Sequence, residues 1–140
     1  MKKLLSVSLL AAALSLIAVR AQAQAIVIAN PSVKAEDVAK SDVRDVFTGS
    51  ASSLKDGSHV TPVLLKGGTV NDEFLSQYVG KADSGFIAGW RSLVFSGEAA
   101  MPKTLDSEAA MVEFVAHTPG AIGYIGKVTP HEGVKVLTVK

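Results

Sequence analysis

The sequence predicts an α/β domain built on a mainly parallel sheet flanked by helices. Two patterns carry that expectation: short β-branched apolar runs bounded by turn residues, and longer stretches of helical periodicity between them. A third observation is that the chain has no cysteine. Its stability therefore rests on a packed core and not on disulfides.

The first element is the continuous apolar run Ile26, Val27, Ile28 and Ala29, stopped by Asn30 and Pro31. Such a run reads as a strand buried on both faces. From about Ala39 to Phe47 the positions Val43, Val46 and Phe47 follow helical spacing, and Gly49 supplies the stop. Residues 50–58 hold four serines and the turn pair Asp56 and Gly57, which makes a loop. Val60 to Leu65 is a second strand, with Pro62 near its start or on an edge.

After Lys66, Gly67, Gly68 and Thr69 comes a helix pattern from about Asn71 to Val79, with Phe74, Leu75 and Tyr78 on one side. A longer helix is predicted over Ser84 to Ser96, where Phe86, Ile87, Trp90, Leu93 and Val94 form an apolar stripe ended by Gly97. Ser107 caps a third pattern that runs to His117, with Ala110, Met111, Phe114 and Val115 inward and Thr118, Pro119 and Gly120 as the stop. Two closing strands, Ala121 to Ile125 and Val134 to Val139, are joined by a turn containing Pro130 and Gly133.

Residues 1–25 have a different character. Lys2 and Lys3 lead into an apolar run from Leu4 to Val19, followed by the small residues Ala21, Ala23 and Ala25. That is the order of a secretory signal peptide, and the run is shorter than the roughly 20 residues a membrane span needs. Cleavage fits after Ala23 or after Ala25, which leaves one domain over 26–140 in a periplasmic or secreted protein, with no membrane insertion.

Without Lys2, Lys3 and Arg20 the basic residues fall from 14 to 11 against 13 acidic ones, so the net charge moves from +1 to −2. The remaining charges are scattered. There is no basic stripe for nucleic acid and no polybasic patch for a bilayer surface.

The chemistry of enzymes finds little support. No Gly-x-Ser-x-Gly elbow, His-Glu-x-x-His helix or phosphate loop ending in Gly-Lys-Ser/Thr occurs. Ser52 or Ser53 with Asp56 and His59 could be drawn as a triad, but all lie in one loop with nothing to orient them. His59, His117 and His131 have no metal-ligand spacing, and thiolate sites need the missing cysteine. No metal, cofactor or catalytic residue is expected.

Several segments, taken in order, resemble a known family. They are 26–32 (Ile26 to Ser32), 43–49 (Val43 to Gly49), Asp56-Gly57 before Val60-Thr61-Pro62-Val63, Trp90-Arg91 before Phe95-Ser96-Gly97, and 118–125 (Thr118 to Ile125). Their succession is similar to that in phosphate-type solute-binding proteins of bacterial ABC transporters, and it covers the predicted mature chain. The segment ending in Gly123-Tyr124 is the most specific. Members of that family have two lobes closing on an oxyanion, so the resemblance implies a single periplasmic-binding-protein-like lobe. Where members carry a Ser-Gly-Thr turn with an arginine nearby, this chain has Gly67-Gly68-Thr69.

A glycine-rich turn entering a helix leaves N–H groups unpaired at the positive end of the helix dipole, which suits an anion. The candidate ligand-binding residues are therefore Gly67, Gly68 and Thr69. Asn30 and Ser32 join them, because ligands of open α/β sheets collect at carboxyl ends of strands. Each has a plainer reading: the glycines make the turn, Thr69 caps its helix, and Asn30-Pro31-Ser32 is ordinary turn chemistry. Arg44 and Arg91, the two arginines outside the leader, fall in helices whose solvated faces or salt bridges would explain them, although either could clamp an oxyanion.

The resemblance implies an exported domain that binds phosphate or a similar small oxyanion non-covalently, within or derived from an ABC-type phosphate uptake system. The alternative is a secreted interaction module that kept the fold, lost the solute and docks to a membrane sensor or transporter.

Overall fold

The computed structural model describes residues 24–140, so the predicted leader lies outside them except for Gln24 and Ala25. Strand β1 spans Ala25–Ala29, one residue earlier than predicted, and Ala25 is buried opposite Gly126. The remaining strands are β2 (Asp37–Val38), β3 (Thr61–Leu65), β4 (Lys103–Leu105), β5 (Ala121–Gly126) and β6 (Lys135–Val139). They form one six-stranded sheet in the order β2-β6-β1-β5-β3-β4.

The α/β class and the single-lobe architecture are those the sequence predicts. In strand direction, the pairings β2–β6, β3–β5 and β3–β4 are parallel, as expected of a mainly parallel sheet. The centre differs: β1 runs antiparallel to both neighbours, β5 and β6. A continuous apolar run marks a strand buried on both faces and says nothing of its direction.

Four helices among the described residues cover the sheet: α1 (Lys40–Phe47), α2 (Thr69–Phe74), α3 (Asp83–Phe95) and α4 (Glu108–His117). After Phe74 the second helix widens into a π turn over Leu75–Val79 and ends at Gly80, whose N–H bonds the Leu75 carbonyl at 2.7 Å. Alternation along β5 shows how the layers are arranged. A Cβ added at Gly123 would lie 2.5 Å from Met111 Sδ, so α4 sits against this face with no room for a side chain. The next residue, Tyr124, points to the other face and stacks on Phe74 at 3.8 Å between centroids, with Phe47 edge-on at 5.7 Å. Gly123-Tyr124 thus sets a close helix approach on one side and an aromatic cluster on the other.

Helix α3 departs from its predicted stripe. Phe86 and Trp90 are buried, and the indole N–H of Trp90 donates to the Phe47 carbonyl at 2.9 Å. Val94, placed inward by the sequence pattern, is exposed instead.

Candidate functional site

Parallel β3 and β4 end together. Beyond Leu65 the Lys66 N–H bonds the Leu105 carbonyl at 2.9 Å, which holds the start of the next turn over the sheet edge. The chain then reverses through Gly67 (φ +71°) and Gly68 (φ +96°, ψ 169°) into α2. The conformation at Gly68 is open essentially only to glycine.

Gly68 is the N-cap position of α2 and has no side chain to fill it, so Thr69 stands at the first helical position and does not cap its own helix. The first helical bond runs from the Asp72 N–H to the Gly68 carbonyl. The amides of Gly68, Thr69, Val70 and Asn71 therefore have no acceptor within the helix. A Cβ at Gly67 or Gly68 would meet nothing within 4 Å, so both face open space.

Beside this turn lies a groove of about 630 Å³, lined by Lys66, Gly67, Asp83, Ser84, Ile87, Arg91, Met101, Thr104 and Asp106 with Leu65 at its floor. Two cations and two carboxylates border it. Gly68 and Thr69 continue the chain from its rim and are exposed. Lys66 and Arg91 were not among the predicted ligand residues. The signal for Lys66 was its place directly between strand and glycine turn, whereas Arg91 reaches the groove only because α3 crosses there.

The turn is anchored from below. Tyr124 Oη accepts the Leu65 N–H at 3.0 Å and donates to Asn71 Oδ1 at 2.5 Å, and Asn71 Nδ2 donates to Asp83 Oδ1 at 2.9 Å. These bonds join the end of β3, the first turn of α2 and the start of α3. Burial pushes the Tyr124 phenol above its ordinary range, so it stays protonated and can donate. At the end of β5, the Gly126 N–H donates at 2.6 Å to Oε1 of Glu108, the first residue of α4, which also accepts from Thr129 Oγ1 at 2.5 Å.

Asn30 and Ser32 are not brought to this turn. The Asn30 N–H bonds the Ala121 carbonyl, and Ala121 pairs with Thr61 at the start of β3, whereas Gly67 follows its end. At about 3.3 Å per residue, the length of β3 separates them by more than about 13 Å. The rule that ligands gather at carboxyl ends concerns parallel strands, and β1 is antiparallel, so its carboxyl end lies at the opposite edge. Both side chains also have structural partners. Asn30 Nδ2 donates to the carbonyls of Val115 and Ala116 and its Oδ1 accepts the Ser32 N–H, while Ser32 Oγ accepts the Gly120 N–H at 2.9 Å.

The loop residues drawn as a triad make local bonds. Asp56 accepts from the Ser58 N–H and hydroxyl at 2.9 Å each, which holds its carboxyl below the usual range. His117 and His131 bond backbone carbonyls through Nδ1. Among the described residues no group of three or more His, Asp or Glu is placed to hold a metal ion. None of their helices is long and apolar enough to cross a membrane. Arg44 approaches Asp45 at 4.0 Å on an exposed face.

No protein-family model matches the chain, and no curated protein sequence matches it. Solved structures match its fold. A protein of Clostridium perfringens named as a phosphate ABC transporter substrate-binding protein, solved with bound phosphate, superposes with a TM-score of 0.62 at 17% identity, over 83% of this chain and 44% of its own. An ABC-type phosphate transport receptor from Vibrio cholerae gives 0.54 at 12% identity, over 83% of this chain and 46% of its own. PstS from Borrelia burgdorferi gives 0.53 at 16%, over 84% and 47%. The fold is that of one lobe of a periplasmic-binding-protein-like molecule, and the chain spans less than half the length of these neighbours.

Proposed function

We propose that this chain is an exported solute-binding lobe that holds phosphate or a similar small oxyanion at the Gly67-Gly68-Thr69 turn, without chemical conversion, in or derived from an ABC-type uptake system. The observation that carries this reading is the uncapped start of α2: four amides without helical acceptors, at a turn whose two glycines face open space. Lys66 and Arg91 supply positive charge beside it. Asp83 and Asp106 offset that charge, so attraction rests on the oriented amides and the helix dipole more than on any excess of cations. Asn30 and Ser32 belong to the opposite edge and serve the fold there.

One lobe provides one wall of a site. An anion on an open wall keeps most of its hydration, and each contact competes with water at high dielectric. A dissociation constant nearer millimolar than micromolar follows for a lone lobe, a difference of about 4 kcal/mol. Calorimetric titration of the purified exported protein with phosphate, sulfate and simple carboxylates tests the reading. Saturable heat with phosphate supports it; no heat with any oxyanion rejects it.

A further inference from the structure

Helix α3 has two apolar faces, and only one meets the core. Phe86 and Trp90 are buried and Ile87 packs partly buried beside them, while Arg91, Val94 and Phe95 fall at the spacing of a second face. On it Phe95 is 96% exposed and Val94 is 41% exposed, and Met101 from the following loop is 43% exposed. Arg91, Val94, Phe95 and Met101 line a shallow apolar cleft of about 380 Å³. Fraying does not account for it. The helix closes in a full glycine-ended cap, with Gly97 N–H to the Val94 carbonyl at 3.1 Å and Glu98 N–H to the Leu93 carbonyl at 2.9 Å.

We propose that this face of α3 docks a second copy of the chain, and that the second copy covers the open side of the groove beside the Gly67 turn. Three observations select a second copy as the occupant. The first is charge. Arg91 precedes Phe95 by one helical turn, and Glu98 follows it at the helix's negative end; both are exposed. When two α3 helices cross antiparallel about Phe95, Arg91 of each copy meets Glu98 and the C-terminal carbonyls of the other, the self-complementarity that twofold symmetry requires.

The second is continuity: Arg91 and Met101 line both the apolar cleft and the groove, so a molecule seated on the cleft stands at the groove's rim. The third is size. An exposed Phe offers on the order of 200 Å², and a stable interface buries about 800 Å² per partner. Phe95 thus supplies an anchor and the Arg91 to Met101 rim the surround. Coverage of the groove rests on the oxyanion reading; the docking itself does not.

Sedimentation of the purified exported protein without phosphate tests the docking. The expected result is a concentration-dependent dimer whose dissociation constant rises about thirtyfold or more in Phe95→Asp, the scale of a central aromatic anchor, with unchanged circular dichroism. Arg91→Glu and Glu98→Arg should each weaken the dimer, and their combination should restore it. A monomer at the highest soluble concentration overturns the proposal, as does a dimer indifferent to Phe95→Asp or a failure of the paired reversal to restore it. Binding of the monomer to phosphatidylglycerol vesicles through Phe95 also overturns it, in favour of a lipid surface. Phosphate titration separates the two readings: a Phe95-dependent dimer that gives no heat keeps the docking and loses the oxyanion, and a monomer that gives heat does the reverse.

Discussion

The Tyr124 hydroxyl donates to Asn71 Oδ1 at 2.5 Å in a site where both residues are buried, and it accepts the Leu65 N–H on its other side. One phenol thereby satisfies the end of β3 and the first turn of α2 together. Tyr124→Phe keeps the stacking on Phe74 but leaves a buried amide without an acceptor and a buried carboxamide without its donor. Such a loss costs about 1 to 3 kcal/mol. Denaturant midpoints should fall accordingly, and amide exchange at Leu65 and in the Gly67 to Asn71 turn should quicken more than exchange in α4.

The same phenol gives stability a dependence on high pH. Its folded pKa lies above the ordinary value of 10.0 because burial disfavours the phenolate. The folded state therefore holds this proton more tightly than the unfolded chain. The stabilisation is complete below about pH 10 and is lost as pH rises from there through the folded pKa. Half-buried Tyr78 shifts the same way. Urea midpoints of the wild type should decline above pH 10, and the decline should be shallower, though not absent, in Tyr124→Phe. Equal slopes in the two proteins would contradict the assignment.

Trp90 joins α3 to α1 by its ring and by its indole N–H on the Phe47 carbonyl. Trp90→Ala removes a buried aromatic and leaves that carbonyl without a donor, so a loss of about 3 to 5 kcal/mol is expected. Trp90→Phe, which retains most of the apolar volume, should cost less, and its remaining deficit measures the hydrogen bond. Coincident midpoints for Trp90→Ala and wild type would contradict its place in the core.

How much of this was legible depends on how local each feature is. β1, β3, β5 and β6 stand out because their apolar runs are bounded by Pro, Gly and Asn, and α4 because Ser107 caps it, with its hydroxyl accepting the Ala110 N–H at 3.1 Å. β2 and β4 are two and three residues long and carry no apolar alternation; Lys103–Leu105 is a strand only because β3 pairs with it. The antiparallel course of β1 is likewise a property of its partners, which is why Asn30 and Ser32 stand at the edge opposite the glycine turn. In α3, periodicity finds apolar positions but cannot tell a face meeting the core from one left bare, so Val94 was placed inside. At the candidate site the glycines were readable, since only glycine suits Gly68's backbone. Arg91, 23 residues further along, joins the groove by folding alone.

For the proposed leader, β1 distinguishes between the two cleavage positions. Ala25 is a buried strand residue paired with Gly126, and the Gln24 carbonyl accepts the Lys127 N–H at 2.8 Å. Cleavage after Ala25 would remove both, whereas cleavage after Ala23 leaves the strand whole. We expect mass spectrometry of the exported protein to show Gln24 as its first residue. A first residue of Ile26 would mean that β1 functions without its initial pair.

Binding at the glycine turn can be probed without disturbing the fold, provided the substitution suits the backbone. Gly68→Val fails that condition, because φ +96° with ψ 169° is a glycine conformation and a side chain there costs about 1 to 3 kcal/mol whatever it does to a ligand. Thr69→Pro is better suited. Thr69 is the first helical residue, where proline's fixed φ is favourable and the lost N–H has no helical acceptor, and the extended ψ of Gly68 is the one a following proline prefers. The substitution removes one amide and one hydroxyl from the turn and nothing from the core. Thermal stability should stay the same or rise slightly. Phosphate affinity should fall about tenfold or more, since a hydrogen bond to a charged group contributes about 1.5 to 3 kcal/mol. Thr69→Ala, which removes the hydroxyl alone, should lose less, and the difference between the two reports the amide. If Thr69→Pro folds and binds phosphate as tightly as the wild type, any oxyanion site of this protein lies away from the start of α2.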